Sequence, residues 1–446
     1  MTKLTDVQIS VLSSLFGAVP NGAVETLERA LACEAAQGGA IAEVHGLIAA
    51  EAADRRMRAH AFGPISALCR PSNQTPARFP AEVLRPVWKA VCAVRPEMVE
   101  RLRYADARRA DPEASRELEA CDHLCAAAAE GLRAPGDEFV AAVEVLRARK
   151  PEGPEEFASM LDLAPVARRA VERLPDWVGR PSEEKSAAMR LAYRDAVALA
   201  DDAGPRLFDI LYANMPEPWL VLRVLSAVMD HPQDRYVAVS ELAHVGEAVL
   251  DDIDRRLAAF REFNPADGHA AGVAAGAMLH VVSQEIAEFE TSIELSKEGV
   301  WGKRVAKQKQ SLALLAETRL GQIEKAIDAA LPQQAVRLGR ILKGHPKLVA
   351  DPDRLAQRKA EGLLAFFANC RSSANQSGYG SARAKVGEML EERLDEYIEN
   401  LLETLRSEEV EAPDRVKAYM EVAARFVDVA QGEQAGQLVR RRAAAA

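Results

Sequence analysis

Apolar side chains along this chain return every three or four positions, and no run of four or more residues alternates convincingly with period two. Helices that bury one face produce that periodicity, so helices are expected throughout and strands nowhere. In the second half the apolar stripes are long. Met278, Val282, Ile286, Phe289 and Ile293 share one face; so do Leu312, Ala316, Leu320, Ile323, Ile327 and Leu331, and again Val386, Leu390, Leu394, Tyr397, Leu401 and Leu405. Narrow stripes on helices of about 20 residues pack lengthwise against a neighbour, in a bundle or a coiled coil.

The first half is punctuated more densely. Breakers at Gly63-Pro64, Pro71–Pro80, Pro135-Gly136, Pro151–Pro154, Gly204-Pro205 and Pro216–Pro218 leave amphipathic segments of about 10–20 residues. Thr5, Asp111 before Pro112, and Ser182 stand where helix caps are expected. Short helices with short turns predict an array of helical hairpins over residues 1–231, subdivided near 63–80. A long-helix bundle is expected over 232–446, with the boundary at Met229–Pro232. The fold class is all-α.

Composition agrees with that class. Of 446 residues, 48% are hydrophobic, 28% charged and only 5% aromatic, and helix formers with little β-branching dominate. A net charge of −10 opposes general coating of nucleic acid. Six scattered cysteines are too few for a disulfide scaffold, and together with a start that lacks a secretory pattern they predict reduced thiols in a cytoplasm. The Ala- and Arg-rich composition suits a bacterial one. The longest apolar run, Ala270–Val282, is shorter than the ~18–20 residues of a membrane span, so it is read as a buried helix.

Charge is unevenly spread in the second half. Lys297–Lys359 holds 14 Lys/Arg against 6 Asp/Glu, a balance of +8, whereas Glu388–Glu411 holds 10 Asp/Glu against 2 Arg, a balance of −8. The two stretches are expected to neutralise each other within the chain; a basic face for an acidic partner, RNA or anionic lipid is the alternative. Between them the polar segment Asn369–Ser381 reads as a flexible connection, without the glycine and lysine spacing of a phosphate loop.

The sharpest chemical candidate is Glu241-Leu-Ala-His244 followed by Asp251, Asp252, Asp254, Arg255 and Arg256. Clustered carboxylates hold a divalent cation against a diphosphate, with arginines on its far oxygens. The stretch resembles the first aspartate-rich region of isoprenyl diphosphate synthases, an all-α family; the resemblance implies a metal-dependent enzyme acting on a diphosphate. The third aspartate comes one residue early for that motif, and no second aspartate-rich helix follows. Glu241 and His244 also match half of a di-iron site, although no second Glu-x-x-His occurs in the bundle region. Cys121 and Cys125 stand one helical turn apart with His123 near the opposite side, which suits buried thiols better than a zinc site. His45, His60, His231, His269, His280 and His345 are isolated, and no hydrolase elbow, kinase set or dinucleotide turn is present.

Gly299 and Gly302 bracket Trp301 among Lys303, Arg304 and Lys307; the glycines read as a hinge or helical-hairpin turn, and the alternative is a recognition tip whose tryptophan buries in a partner while the cations meet acidic groups. The reading is a non-enzymatic interaction or scaffold protein, with protein partners, self-association through the C-terminal bundle, and no cofactor or metal. The alternatives are the diphosphate enzyme at Asp251–Asp254 and an RNA or anionic-membrane binder through residues 297–359, although neither nucleic acid nor membrane is an expected partner.

Overall fold

A computed structural model of the chain describes residues 4–35, 39–71, 77–107, 114–179, 182–230, 232–338, 341–407 and 412–446. The fold is all-α, 80% helical with two short strands, and separates into two compact units, Met1–Val228 and Met229–Ala446.

The first unit runs through α1 (Asp6–Ala18), α2 (Asn21–Ala35), α3 (Ala40–Phe62), α4 (Leu84–Val94), α5 (Pro96–Ala107), α6 (Ala114–Arg133), α7 (Val140–Arg149), α8 (Gly153–Asp162), α9 (Ala164–Trp177), α10 (Glu183–Val197), α11 (Ala203–Asn214) and α12 (Val221–Met229), which ends at the division. Thr5 caps α1 in a reciprocal capping box with Gln8, and the Ser182 side chain accepts from the Lys185 N–H at the start of α10. The cap expected at Asp111 lies outside the described residues, as does His231. Packing centres on α6, which touches α3, α4, α5, α8 and α9. A linear array confines contacts to neighbouring hairpins, so the first unit has a central helix where the sequence suggested stacking. Its large buried side chains meet edge to face: Phe62 and Trp88 at 6.0 Å, Phe79 and Phe157 at 4.9 Å. Phe16, Val24, Ile48 and Ala52 form a smaller core beneath α1 and α2.

The second unit runs through α13 (Asp234–Val237), α14 (Ala243–Arg261), α15 (His269–Ser292), α16 (Val300–Leu320), α17 (Ile323–Ala330), the strands β1 (Gln333–Leu338) and β2 (Ile341–Pro346), then α18 (Arg354–Asn369), α19 (Gly380–Arg406), α20 (Pro413–Gln431) and α21 (Glu433–Ala445). The antiparallel hairpin, paired from Gln333↔Pro346 to Leu338↔Ile341, corrects the expectation of no strands. Neither strand alternates cleanly, and a two-stranded hairpin is marginal alone; here the Asn400 side chain on α19 donates to the Gly344 carbonyl at 3.0 Å. A second correction concerns the Leu312–Leu331 stripe, which spans two helices because the chain turns at Gly321-Gln322. A third concerns Asn369–Ser381. Its polar groups are used internally rather than left flexible: the Tyr379 hydroxyl, fully buried, lies 2.6 Å from the Ser373 hydroxyl, and Ser377 donates to Ser283 on α15 at 2.8 Å.

By length and composition α15 could cross a bilayer, but in the unit it is a core helix. It lies backbone to backbone against α18. A Cβ at Gly272 would come within 2.0 Å of the Gly362 carbonyl oxygen, and one at Gly362 within 2.3 Å of the Pro265 carbonyl oxygen. Backbone cannot retreat as a flexible side chain does, so no larger residue fits at either point. Gly387 on α19 meets only an ordinary 3.5 Å contact with Phe367. Gly362→Ala should therefore lower stability by about 1–3 kcal/mol through overpacking, whereas Gly387→Ala should raise it by about 0.5–1 kcal/mol through helix propensity. Paired urea titrations check both signs.

Candidate functional site

The sequence offered two clusters in the second unit, and the structure turns them on each other. Trp301 is 0% exposed. Its ring stands edge-on to Phe289 at 5.4 Å and fills the space above Gly246, where a Cβ would lie 2.4 Å from it. The indole N–H donates to Glu247. Asp234, also buried, caps the start of α16: its carboxylate accepts the Gly302 N–H at 2.9 Å and the Trp301 N–H at 3.3 Å. The bracketing glycines make room for this, since a Cβ at Gly299 would fall 1.8 Å from the Asp234 carboxylate. Trp301 therefore anchors α16 to α14 from within and is no exposed tip.

Arg304 answers for the aspartates. Its guanidinium donates to Glu247 at 2.7 Å, to Asp254 at 3.0 and 2.7 Å, and to Asp251. Asp252 points to another side of the helix, is 2% exposed, and takes Arg256 at 2.9 Å and Arg255. Asp251 and Asp254 thus share Arg304 while Asp252 is held by Arg255 and Arg256, and the three do not converge on a place for a cation. The cations at Lys303 and Lys307 remain exposed, Lys303 beside Glu298 at 3.2 Å. Glu241 lies outside α14, and the His244 ring nitrogen engages the Glu241 backbone oxygen at 3.0 Å. Cys125 is buried, its thiol pushed up to about 12 by burial, while His123 faces solvent. Among the described residues no group of three or more His, Cys, Asp or Glu side chains could hold a metal ion.

Beneath this junction Glu285 of α15, 1% exposed, shares Arg256 with Asp252 at 3.3 Å. Asp252 takes both Arg255 and Arg256, so Glu285 has only a share of one guanidinium. Burial, and then Asp252 beside it, push the Glu285 carboxyl up to about 9.

An open cleft of about 530 Å3 lies between the end of α14, the Pro265–Asp267 turn, the α16–α17 corner and the start of α18. Pro265, Ala326, Ala329 and Ala356 give it an apolar floor; Arg319, Lys325 and Lys359 stand around it with the amides of Asn264 and Gln322, and no carboxylate lines it. Arg319 is fixed in place. Its guanidinium lies over the Phe263 ring at 5.6 Å and donates to the Arg261 carbonyl at 3.0 Å. Lys325 and Lys359 are exposed and make no ion pair or hydrogen bond with any described residue. Arg319, Lys325 and Lys359 belong to the basic stretch that charge counting marked, but nothing in the sequence brings Phe263 and Asn264 to them. The packing of α16 on α14 brings Arg319 and Lys325 there, and the return of α18 beside the Pro265 turn adds Lys359.

No protein-family model matches this sequence, and comparison with curated proteins and with solved structures finds no match.

The pH dependence of the second unit follows from Glu285. Its folded-state value stands above the ordinary value of 4.5, so the folded chain holds a proton that the unfolded chain has released. This contribution is complete at or below that ordinary value and is lost as pH rises to about 9. Glu285→Gln, which keeps the shape and removes the titration, should flatten the fall in urea midpoint across this interval. An unchanged slope in the variant would contradict the account in which Glu285 keeps its proton.

Proposed function

We propose that the chain is a non-enzymatic interaction protein that docks an acidic segment of a protein partner in the cleft between α16, α17 and α18. The observation that carries this reading is the pair Lys325 and Lys359, exposed above an apolar floor and making no ion pair with any described residue. Elsewhere in the second unit arginines hold carboxylates: Arg304 on Asp251 and Asp254, Arg393 on Asp328, Arg415 on Asp351, Arg425 on Glu361, Arg440 on Glu421 and Asp428. The two lysines, in a cleft that no carboxylate lines and beside a guanidinium already fixed by stacking, favour an incoming anion. The floor of Pro265, Ala326, Ala329 and Ala356 favours an occupant with aliphatic groups between its charges, as an acidic peptide has.

The diphosphate-enzyme reading loses its support because its aspartates already hold arginines. RNA or anionic lipid would also meet the lysines, but has less use for the apolar floor, and the net charge of −10 opposes a long polyanion.

Fluorescence anisotropy with a labelled peptide alternating Glu and Leu tests this. Binding should weaken as salt rises and fall by about tenfold or more in Lys325→Glu/Lys359→Glu, and the same peptide with Gln for Glu should not bind. If an RNA oligonucleotide or phosphatidylserine vesicles bind through these lysines while the peptide does not, the protein-partner reading is lost.

A further inference from the structure

Among the described residues no cation of the basic stretch pairs with a carboxylate of the acidic one, although α19 packs against α16, α17 and β2. Among the described residues the ion pair that joins the two stretches, Arg393 to Asp328, runs the opposite way, with the cation in the acidic stretch and the carboxylate in the basic one. What remains on α19 is ordered. Glu388, Glu392, Asp395, Glu399 and Glu403 follow at steps of four, three, four and four, which places them on one face of the helix, and all five are exposed. The face is roughly 22 Å long at 1.5 Å per residue. Glu399 meets Arg442 of α21; the other four make no ion pair or hydrogen bond with any described residue. Like charges one turn apart destabilise a helix, so such a face is costly to keep without a cationic partner. The cleft presents the complementary arrangement: three cations and no carboxylate, two of the cations making no ion pair with any described residue.

Resting on the reading of the cleft as a seat for an acidic segment, we infer that this segment is α19 of a second copy of the chain, in a twofold dimer where each cleft receives the partner's acidic face. Charge complementarity carries the choice of occupant. A twofold axis makes both contacts at once, uses up both unpaired sets, and closes the assembly instead of letting it grow. The pairing is ionic at its rim, so the dimer is reversible and sensitive to salt.

Sedimentation equilibrium on the full chain tests this with two variants, Lys325→Glu/Lys359→Glu in the cleft and Glu392→Lys/Asp395→Lys on α19. All four positions are exposed, so circular dichroism should show both variants folded. The wild type should form dimers at about 50 mM salt and dissociate as the Debye length shortens. Each variant alone should dimerise about tenfold or more weakly. An equimolar mixture of the two should recover the dimer, because acidic cleft meets basic helix and basic cleft meets acidic helix. The inference is overturned if the wild type stays monomeric at every concentration, if its dimer is indifferent to both variants, or if the mixture fails to recover it. A monomeric wild type that still binds the Glu/Leu peptide removes the second copy and leaves the cleft's reading standing; loss of both removes both.

Discussion

The backbone contact where α15, α18 and the Pro265 turn meet is the constraint from which the working face of the second unit follows. Gly272 brings α15 onto the Gly362 carbonyl, and Gly362 brings α18 onto the Pro265 carbonyl. Helices normally keep apart by the width of their side chains; here two lie closer, and the turn between α14 and α15 is held beside the first part of α18. Phe260, Phe263 and Phe366 pack together at this point, with ring centroids 5.6–6.0 Å apart. Phe263 in turn fixes Arg319. The position of Lys359 opposite Arg319 is therefore a consequence of missing side chains two helices away.

Electrostatics divides the same unit into satisfied and unsatisfied parts. The junction of α14 with α16 gathers Glu247, Asp251 and Asp254 around Arg304, and buries Asp234 on the start of a helix. Deeper in, Asp252 takes Arg255 and Arg256, and burial keeps a proton on Glu285 beside it. Neither arrangement leaves a charge seeking a ligand. The excess lies further along the chain, negative on α19 and positive around the cleft.

How much of this could be read in advance depended on whether the cause was local. The period of apolar residues identified helices, and Val282, Ile286, Phe289, Leu390, Leu394 and Leu401 are buried as their spacing implied. The strands escaped notice because Gln333-Gln334-Ala335 carries no alternation, and part of what holds the hairpin comes from Asn400, far along the chain. Trp301 was misread because its neighbours in sequence are basic, while its neighbours in space are Gly246, Glu247 and Phe289. The aspartate cluster failed for the same reason: Arg304 is some fifty residues away in sequence and adjacent in space. Charge balance did mark the stretches that matter, but not whether they meet.

An unpaired charge on a folded surface commonly serves only to hold water, and what distinguishes a recognition surface is what surrounds the charge. Lys307 and Arg354 are also exposed and make no ion pair with any described residue, but neither lines the cleft. An ion bound there would trade one hydration shell for another at small gain. At the cleft an occupant also removes water from Pro265, Ala326, Ala329 and Ala356, and meets in Arg319 a donor whose orientation is already fixed. Apolar contact then supplies affinity while the charges select what enters. The combination, rather than the net positive balance of the stretch, is what supports the proposal that the cleft docks a partner.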